Sequence, residues 1–512
     1  MTIPKLAADA AQRFDTSVAI VDGETRLTFA ELLDRARSFG AALVASGIAT
    51  GDRVAIWAPN SASWIVAVLG IWEAGAVLVP VNTRFKGAEA GDILQRSRAR
   101  ALFTVDEFLG ADYVDMLATS GFDLPELSTI VLPATWAEFV DRGGAEHHAE
   151  VERRAGALTS ADVSDILFTS GTTGVPKGVV QTHAGTLGVA NDFVAMTGLA
   201  AGDRYLMVNP YFHMFGLKAG ILAALSAGAT MLPVPVFDVE QVLRRVGEER
   251  ITALPGPPTV YQSILAHPER DNFDLSSLRI AVTGAAEIPV ELIRRIHDEL
   301  PFETIIAGYG LTEAGTACAT GPDDDPETIA TTVGRARPGF VIRIADGAGA
   351  EIATGEVGEV LLRGPTLLSH YLDDPAATAK ALPADGWLRT GDLGVLDDRG
   401  CLRIVGRSKD MFIVGGFNAY PAEIENLLLR HPDIRAVAVI GVPDVRLGEV
   451  GMAFVVLRPG AQVTGADIIG WSREQMANYK VPRAVEVLDD LPLNATGKVM
   501  KDVLRARAAT PT

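Results

Sequence analysis

Hydrophobic and polar positions in the first 105 residues alternate between two periods, and this alternation predicts strands that take turns with helices. Short apolar runs such as Val18-Ala-Ile-Val21 and Val54-Ala-Ile-Trp57 are typical of buried strands. Thr28 and Glu31 have the spacing of a capping box, which predicts a helix to about residue 48. The pattern continues with a helix at 63–74, a strand at 77–81, a helix near 88–96 and a strand at 101–105. This order indicates an α/β fold whose parallel-rich sheets carry helices on both faces.

The pattern changes twice further along the chain. Units of the same kind recur to about residue 308, and from about residue 332 a strand-rich, turn-punctuated pattern predicts a smaller β subdomain. Past Gly406 the net charge changes from −20 for residues 1–406 to +1 for residues 407–512. Such a step marks a domain boundary. We therefore expect a large N-terminal domain over 1–406 and a small α+β domain over 407–512, with strands near 436–440, 453–457 and 485–488 and helices from 421 and near 466–476.

Composition narrows the classes of function. The 512 residues carry 45 Lys+Arg against 64 Asp+Glu, a net charge of −19, which opposes contact with nucleic acid or anionic membranes. The two most apolar stretches, 64–81 and 217–236, each predict a buried helix followed by a strand, not a membrane span. Two cysteines and the absence of a recognisable targeting signal favour the cytoplasm.

A glycine-rich and hydroxyl-rich loop is the most informative segment. Phe168-Thr-Ser-Gly-Thr-Thr-Gly-Val-Pro-Lys-Gly178 lies between two apolar runs. Its glycines allow close backbone approach, its hydroxyls can donate to phosphate oxygens, and Lys177 adds a positive charge. It lacks the spacing of a Walker A loop. A flexible hairpin turn would explain the glycines but not so many donors, so we interpret the segment as a polyphosphate loop.

This loop resembles the phosphate loop of the adenylate-forming superfamily of acyl-CoA synthetases, luciferases and peptide-synthetase adenylation domains. Four further segments resemble motifs of that superfamily in the same order: Tyr309-Gly-Leu-Thr-Glu313, Trp387-Leu-Arg-Thr-Gly-Asp392, Gly406-Arg-Ser-Lys-Asp410 and Asn494-Ala-Thr-Gly-Lys498. Stretches at 162–168, 215–222, 254–262 and 273–278 are most similar to an actinobacterial subgroup that activates indane propanoates from steroid degradation. The resemblance implies the superfamily fold, with a large platform and a small mobile lid.

The resemblance also implies a set of nucleotide contacts, and the residue chemistry agrees with it. Tyr309 offers a flat ring to adenine, Asp392 offers acceptors to a ribose diol, and Arg407 supplies a planar donor fork. A buried core Tyr, a turn-capping Asp and an exposed Arg are the alternatives. The implied ATP-binding set is Thr169, Ser170, Gly171, Thr172, Thr173, Gly174, Lys177, Gly284, Ala285, Ala286, Tyr309, Gly310, Asp392 and Arg407.

Four residues, Lys498, Thr312, Glu313 and His213, are implied to act on the reacting groups, and Thr173 is implied to help bind the metal. Lys498 would bring a cation to the place where a carboxylate approaches the α-phosphate, because the transition state gathers charge on both oxygens. Thr312 matches the superfamily's α-phosphate contact, and Glu313 with Thr173 matches its Mg²⁺ ligands. His213 matches the gate at the acyl entrance. A solvated Lys, a surface Glu and a structural His are the alternatives.

Further positions are implied for the second half-reaction and for the acid. Lys409 matches the hinge of the lid domain, and Gly415 with Gly416 matches the loop that lines the pantetheine tunnel, although a bulge or helix cap would also explain two glycines. His213, Gly308, Leu311 and Gly315 are the expected acyl pocket. Lys218 lies in an apolar segment, where it could meet a polar substituent, meet a CoA phosphate, or extend to solvent.

The expected activity is therefore AMP-forming ligation of a hydrophobic carboxylic acid to CoA, with ATP and Mg²⁺. The acid would be alicyclic or of medium chain length, such as a steroid-derived indane propanoate. Loading of a carrier protein and ligation of medium-chain or aryl acids are the alternative enzyme activities, and a catalytically silent binding protein is the non-enzyme alternative. Neither nucleic acid nor an integral membrane partner is expected, and a homodimer is one option for the assembly.

Overall fold

The computed structural model describes residues 1–169, 176–284, 288, 290–408, 410–414, 417–494 and 497–509. Its largest sheet has seven strands, of which five are parallel neighbours and the two pairings at one edge are antiparallel. The strand that leads into the phosphate loop, Val163–Thr169, pairs antiparallel with the strand that leaves it, Lys177–Thr182. In spatial order the strands are His370–Tyr371, Lys177–Thr182, Val163–Thr169, Val77–Pro80, Arg53–Trp57, Ala99–Thr104 and Thr129–Val131.

Two further groups of strands are joined to each other through bridges at Ala253. One has the order Arg204–Met207, Thr230–Pro233, Val18–Asp22 and Thr25–Thr28. The other has the order Ile280–Thr283, Thr304–Leu311, Gly315–Ala319 and Arg335–Ala336. Parallel pairing of Ile280–Thr283 with Thr304–Leu311 delivers two predicted nucleotide-contacting segments to the same end of the sheet.

The remaining sheets belong to the last third of the chain, apart from the short hairpin Glu107–Phe108 and Ala111–Asp112. An antiparallel sheet contains Val341–Ala345, Gly358–Arg363, Leu388–Leu396 and Leu402–Arg407, and corresponds to the predicted β subdomain. The C-terminal sheet contains Phe417–Ala419, Phe412–Val414, Gly448–Leu457, Ile434–Asp444 and Ala484–Leu488.

Helices cover these sheets. The α-helices are Ile3–Phe14, Phe29–Ala45, Ala62–Glu73, Gly87–Ser97, Tyr113–Ala118, Trp136–Val140, Ala145–Ala157, His183–Thr197, Met214–Gly216, Ala223–Ala227, Val239–Glu248, Pro258–Ala266, Val290–Glu299, Pro326–Thr331, Pro375–Ala381, Pro421–Leu428, Gly465–Gln475 and Lys501–Ala508. Pro133–Thr135 and Arg270–Asn272 are 3₁₀ turns, and Leu217–Leu222 is π-helical. None of the described helices is long and apolar enough to cross a membrane.

The predicted capping box is present. Thr28 Oγ1 accepts from the backbone N–H of Glu31 at 3.2 Å, and Glu31 Oε2 accepts from the N–H of Thr28 at 2.8 Å. The helix ends at Ala45, three residues before the predicted end, and Gly47 then takes a φ of +82°. That left-handed conformation suits glycine and stops the helix.

Both apolar stretches fold as a helix followed by a strand. In the first, Trp64 and Trp72 are fully buried in the main core, and Gly70 lets the helix lie against a neighbouring helix. A Cβ on Gly70 would come within 2.5 Å of the carbonyl oxygen of Ala36, so glycine is required there. In the second stretch, the helix contains the π-helical turn and the strand is Thr230–Pro233.

Candidate active site

Three predicted nucleotide contacts meet at the junction of two sheets. Tyr309 lies in the strand Thr304–Leu311, and Asp392 and Arg407 face each other across paired strands of the β subdomain. The Tyr309 hydroxyl donates to Asp392 Oδ2 at 2.6 Å, and Arg407 Nε lies 2.9 Å from Asp392 Oδ1. Burial, with the Asp392 carboxylate second, raises the pKa of Tyr309 well above its ordinary value, so the hydroxyl stays a donor.

The arrangement leaves one side of this trio accessible. Asp392 is buried, whereas the side chain of Arg407 is 38% exposed. Asp392 lies within a strand, so it is not a turn cap. A buried acceptor beside an exposed guanidinium and an aromatic ring can recognise a nucleoside, because a diol can donate to the carboxylate and the guanidinium can meet an anion.

A second cluster gathers charges at the mouth of the phosphate loop. Lys177 Nζ lies 5.1 Å from the ring centroid of Tyr371, and the Tyr371 hydroxyl donates to Glu313 Oε1 at 2.8 Å. The tyrosine reaches this place because its strand pairs with Lys177–Thr182, with Val179 opposite Tyr371. Sequence reasoning missed Tyr371, since it belongs to none of the quoted motifs and only the strand pairing brings it to the loop.

Arg96 contacts both segments that flank the phosphate loop. Its NH1 donates to the carbonyl oxygen of Pro176 at 2.7 Å, and its guanidinium lies 5.4 Å from the ring centroid of Phe168. Thr169 and Lys177 are paired across the base of the loop. Arg96 was not predicted either, because it comes from the distant helix Gly87–Ser97. The phosphate loop thus connects two paired strands, and Arg96 contacts the segments on both sides of it.

His213 and Lys498, two predicted site residues far apart in the sequence, lie within electrostatic range of each other. Burial and, second, the positive charge of Lys498 lower the pKa of His213 to about 4, so its imidazole is neutral at neutral pH. His213 Nδ1 accepts from the N–H of Phe215 at 3.2 Å. Gly497, next to Lys498, lies close to Thr259, because a Cβ on Gly497 would be 3.5 Å from Thr259 Oγ1.

The hairpin made by Thr304–Leu311 and Gly315–Ala319 carries the other predicted pocket residues. Leu311 pairs with Gly315, whose φ is +75°, and Thr312 and Glu313 occupy the turn between them. A Cβ on Gly310 would meet the Gly315 carbonyl oxygen at 2.4 Å, whereas one on Gly308 would have 3.7 Å to its nearest neighbour. Gly310 is therefore required for hairpin packing, and Gly308 is the position with room beside it.

Gly284 ends the strand Ile280–Thr283 next to this hairpin. A Cβ there would lie 2.7 Å from the carbonyl oxygen of Gly308, so the two backbones approach closely. The other predicted residues, Ser170, Gly171, Thr172, Thr173, Gly174, Ala285, Ala286, Lys409, Gly415 and Gly416, lie outside the described residues.

Lys218 has a partner that the sequence did not indicate. Its Nζ lies 2.9 Å from Asp165 Oδ1, and the two side chains are 2% and 0% exposed. Asp165 Oδ2 also accepts from Ser164 Oγ at 2.6 Å and Thr186 Oγ1 at 2.5 Å. The expectations that Lys218 extends to solvent or meets a CoA phosphate are wrong, because the ammonium is sealed in the core.

The chemistry of the site fits a nucleotide-borne divalent cation. Within the described ranges, no group of three or more His, Cys, Asp or Glu side chains could hold a metal by itself. Mg²⁺ commonly takes one or two carboxylates and completes its shell with waters and substrate phosphates. Glu313, which like Lys177 contacts Tyr371, offers one such carboxylate at the predicted phosphate end, and Thr173 lies outside the described residues.

Comparison with known families identifies the arrangement. Residues 7–372 match the family described as AMP-binding enzyme, and residues 423–498 match the AMP-binding enzyme C-terminal domain. This chain belongs to the AMP-binding enzyme family. The predicted family, the adenylate-forming superfamily, is thereby confirmed. The predicted boundary at residue 406 falls between the two matched regions and stays a prediction.

Relatives in this AMP-binding family cover nearly the whole chain. The chain is 48% identical to a 3-[(3aS,4S,7aS)-7a-methyl-1,5-dioxo-octahydro-1H-inden-4-yl]propanoyl:CoA ligase of Rhodococcus jostii, over 98% of both chains. It is 49% identical to a ligase of the same name from Mycobacterium tuberculosis, again over 98% of both chains. A feruloyl-CoA synthase of Amycolatopsis is 37% identical over 96% of both chains.

Solved structures of AMP-binding enzymes share the whole fold. The anthranilate CoA ligase AuaEII in complex with anthranoyl-AMP superposes with a TM-score of 0.88 at 28% identity, covering 99% of this chain and 97% of the other. ATP-bound MatB from Rhodopseudomonas palustris gives 0.87 at 29% identity and covers 99% of each chain. The predicted α/β superfamily fold is confirmed, and the family is one that uses ATP.

Proposed function

We propose that this protein is an ATP- and Mg²⁺-dependent, AMP-forming acid:CoA ligase whose acid is a bulky alicyclic propanoate of the indane type. The names of the two relatives at 48% and 49% identity support the acid and the CoA acceptor. The observation that supports the chemistry is the contact of Asp392 with both Tyr309 and Arg407, together with the electrostatic influence of Lys498 on His213.

In the first half-reaction, a carboxylate oxygen of the acid bonds to the α-phosphorus of ATP, and pyrophosphate leaves. Two anions must approach each other, so the ammonium of Lys498 stabilises the charge that develops on the oxygens between them. A neutral His213 suits this place, because an imidazolium would compete for the carboxylate and an uncharged ring can line an apolar pocket. Thr312 is proposed to donate to the α-phosphate.

At the other end of the nucleotide, Asp392 accepts from the ribose hydroxyls while Tyr309 offers its ring to adenine. Lys177 and the loop hydroxyls Thr169, Ser170, Thr172 and Thr173 are proposed to hold the polyphosphate. Mg²⁺, held by Glu313 and Thr173, would neutralise phosphate charge as pyrophosphate leaves.

In the second half-reaction, the thiol of CoA attacks the acyl carbon, loses its proton and displaces AMP. The charge of Lys498 acts on His213, which supports assigning this arrangement to the first step. We propose that the small domain rotates at Lys409 for the second step, withdrawing Lys498 and bringing Gly415 and Gly416 to line the path of the thiol.

The direct test is product analysis. The protein is incubated with ATP, Mg²⁺, CoA and, in separate reactions, indane propanoates, aryl acids and medium-chain acids. AMP and an acyl-CoA thioester should form, fastest with the indane propanoates. ADP as the product, or no thioester with any acid, would refute acid:CoA ligation. A faster reaction with a supplied holo carrier protein than with CoA would favour carrier loading instead.

Replacement of Lys498 separates the two steps. Lys498→Ala should slow acid-dependent pyrophosphate exchange by about a hundredfold or more, while thioester formation from supplied acyl-adenylate and CoA continues at a similar rate. Lys501→Ala, a nearby lysine paired with Glu425 at 2.7 Å, is the matched control and should leave exchange unchanged. Equal losses in both steps would contradict a role for Lys498 in adenylation alone.

A further inference from the structure

Tyr371 contacts both Lys177 and Glu313, the two charged residues at the proposed phosphate end of the site. Its ring is 7% exposed and lies in an edge strand against the strand that leaves the phosphate loop. The backbone holds it firmly, since the N–H of Tyr371 donates to Thr378 Oγ1 at 2.9 Å and the N–H of Leu372 donates to the carbonyl oxygen of Gly178 at 2.8 Å. The side chain is therefore positioned before any ligand arrives.

The hydroxyl of Tyr371 orients the carboxylate of Glu313. It donates to Oε1 at 2.8 Å. A carboxylate has two oxygens, and a fixed donor on one of them sets the direction in which the other points. Such oriented carboxylates are a known requirement of ion-binding sites.

The ring of Tyr371 contacts the positive charge of Lys177. The Lys177 ammonium lies 5.1 Å from the ring centroid, within the range of a cation–π attraction. Lysine has a long flexible side chain, and this attraction restricts where its charge can be. One side chain therefore positions a cation that would meet phosphate oxygens and an anion that would meet a phosphate-bound metal.

We propose that Tyr371 is a positioning residue for the nucleotide, whose ring holds Lys177 and whose hydroxyl aims Glu313, so that phosphate binding and metal binding depend on one side chain. This inference rests on the proposed function. It predicts two separable defects, because the hydroxyl and the ring can be removed independently.

Tyr371→Phe removes the hydroxyl and keeps the ring. ATP binding to the full-length protein, without acid so that no reaction occurs, is measured by calorimetry with and without Mg²⁺. Without Mg²⁺ the dissociation constant should stay within about twofold of wild type, and the gain in affinity on adding Mg²⁺ should fall by about tenfold. Pyrophosphate exchange should need correspondingly more Mg²⁺ for half-maximal rate.

Tyr371→Leu also removes the ring. It should show the same loss of the Mg²⁺-dependent gain and, in addition, about a fivefold weaker affinity for ATP without Mg²⁺. Tyr113→Phe is the matched control, since it also deletes a buried hydroxyl, which donates to the carbonyl oxygen of Thr83 at 2.5 Å. Tyr113→Phe should change neither affinity.

Unchanged Mg²⁺ dependence in Tyr371→Phe would overturn the inference, as would equal losses with and without Mg²⁺, which would indicate a general packing defect. The phenylalanine variant carries the test if the leucine variant does not fold. Failure of wild type to make AMP from any acid would refute the proposed function instead. Wild-type activity together with an unaffected Tyr371→Phe would reject only the role of Tyr371.

Discussion

Two aspartate–cation pairs in this protein have the same length and opposite surroundings. Asp392 pairs with Arg407 at 2.9 Å, and the side chains are 7% and 38% exposed. Asp165 pairs with Lys218 at 2.9 Å, and the side chains are 0% and 2% exposed. Each aspartate also accepts from hydroxyls, Asp392 from Tyr309 and Asp165 from Ser164 and Thr186. The two carboxylates therefore have similar partners, and the pairs differ in how far solvent reaches them.

Under the proposed function, the Asp392–Arg407 pair binds the nucleotide and the Asp165–Lys218 pair is a structural brace. The Asp392 pair joins the strands Leu388–Leu396 and Leu402–Arg407, and its arginine is partly open to solvent. The Asp165 pair joins the strand that enters the phosphate loop to the π-helical turn Leu217–Leu222, which follows His213. A buried pair adds little net stability over an apolar one, but losing one partner leaves a desolvated charge.

Breaking the sealed pair, Asp165–Lys218, should have the largest effect on stability. Lys218→Met leaves Asp165 buried without its cation, so we expect the free energy of unfolding to fall by about 3–5 kcal/mol. Arg407→Met is the matched substitution at the open pair, Asp392–Arg407. The Arg407 side chain is 38% exposed and the Tyr309 hydroxyl still donates to Asp392, so the cost should be clearly smaller, about 1–2 kcal/mol. Urea unfolding followed by fluorescence measures both.

A neutral double variant checks the cause. Lys218→Met combined with Asp165→Leu removes both charges, and it should recover most of the lost stability because no unpaired ion remains. Equal destabilisation by Lys218→Met and Arg407→Met, or a double variant no more stable than Lys218→Met, would show that the two pairs do not differ as their burial indicates.

We expect the opposite order for nucleotide binding: a substitution in the Asp392–Arg407 pair should affect ATP affinity more than one in the Asp165–Lys218 pair. Arg407→Met should weaken ATP binding by about tenfold, since a charged hydrogen-bonding group at the site is lost, and Asp392→Asn should do the same. Lys218→Met, assayed below its unfolding temperature, should remain within about twofold of wild type. Calorimetry without acid gives the constants. ATP affinity that falls more in Lys218→Met than in Arg407→Met would contradict the assignment of the open pair to the nucleotide.

The same contrast shows what the sequence could and could not predict. Elements with a local signal were predicted within a few residues, as with the capped helix Phe29–Ala45, because hydrophobic period and caps are encoded nearby. The residues of the open pair could be selected because each lies in a motif with recognisable chemistry. Their direct contact was not predicted, since it depends on the register between Leu388–Leu396 and Leu402–Arg407.

The brace and the positioning tyrosine had no comparable signal. Asp165 and Lys218 are 53 positions apart, and a lysine in an apolar segment fits several environments. Tyr371 meets Lys177 and Glu313 only through strand pairing at a sheet edge. The helix Lys501–Ala508 was also missed, because half of its residues are charged and Leu504 alone among them is buried.

Two histidines with lowered pKa values extend the comparison to pH dependence. Burial lowers the pKa of both His213 and His183 to about 4. The second influence is opposite, since Lys498 lowers the pKa of His213 whereas Asp165, a member of the sealed pair, raises that of His183. Lys498→Gln should therefore raise the pKa of His213, measured by NMR of labelled histidine, and leave that of His183 unchanged as an internal control.

The effect on stability is smaller and has a defined sign. A histidine with a folded pKa of about 4 binds fewer protons than in the unfolded chain, whose value is about 6.5, so its contribution is kept above pH 6.5 and lost as pH falls toward 4. Glu73 acts in the opposite direction, because burial raises its pKa to about 7 and its contribution is lost as pH rises through that value. Lys498→Gln should make the acid loss shallower, since His213 then titrates nearer its unfolded value. A curve from pH 7 to 4 that matches wild type would show that Lys498 does not act on His213 in solution.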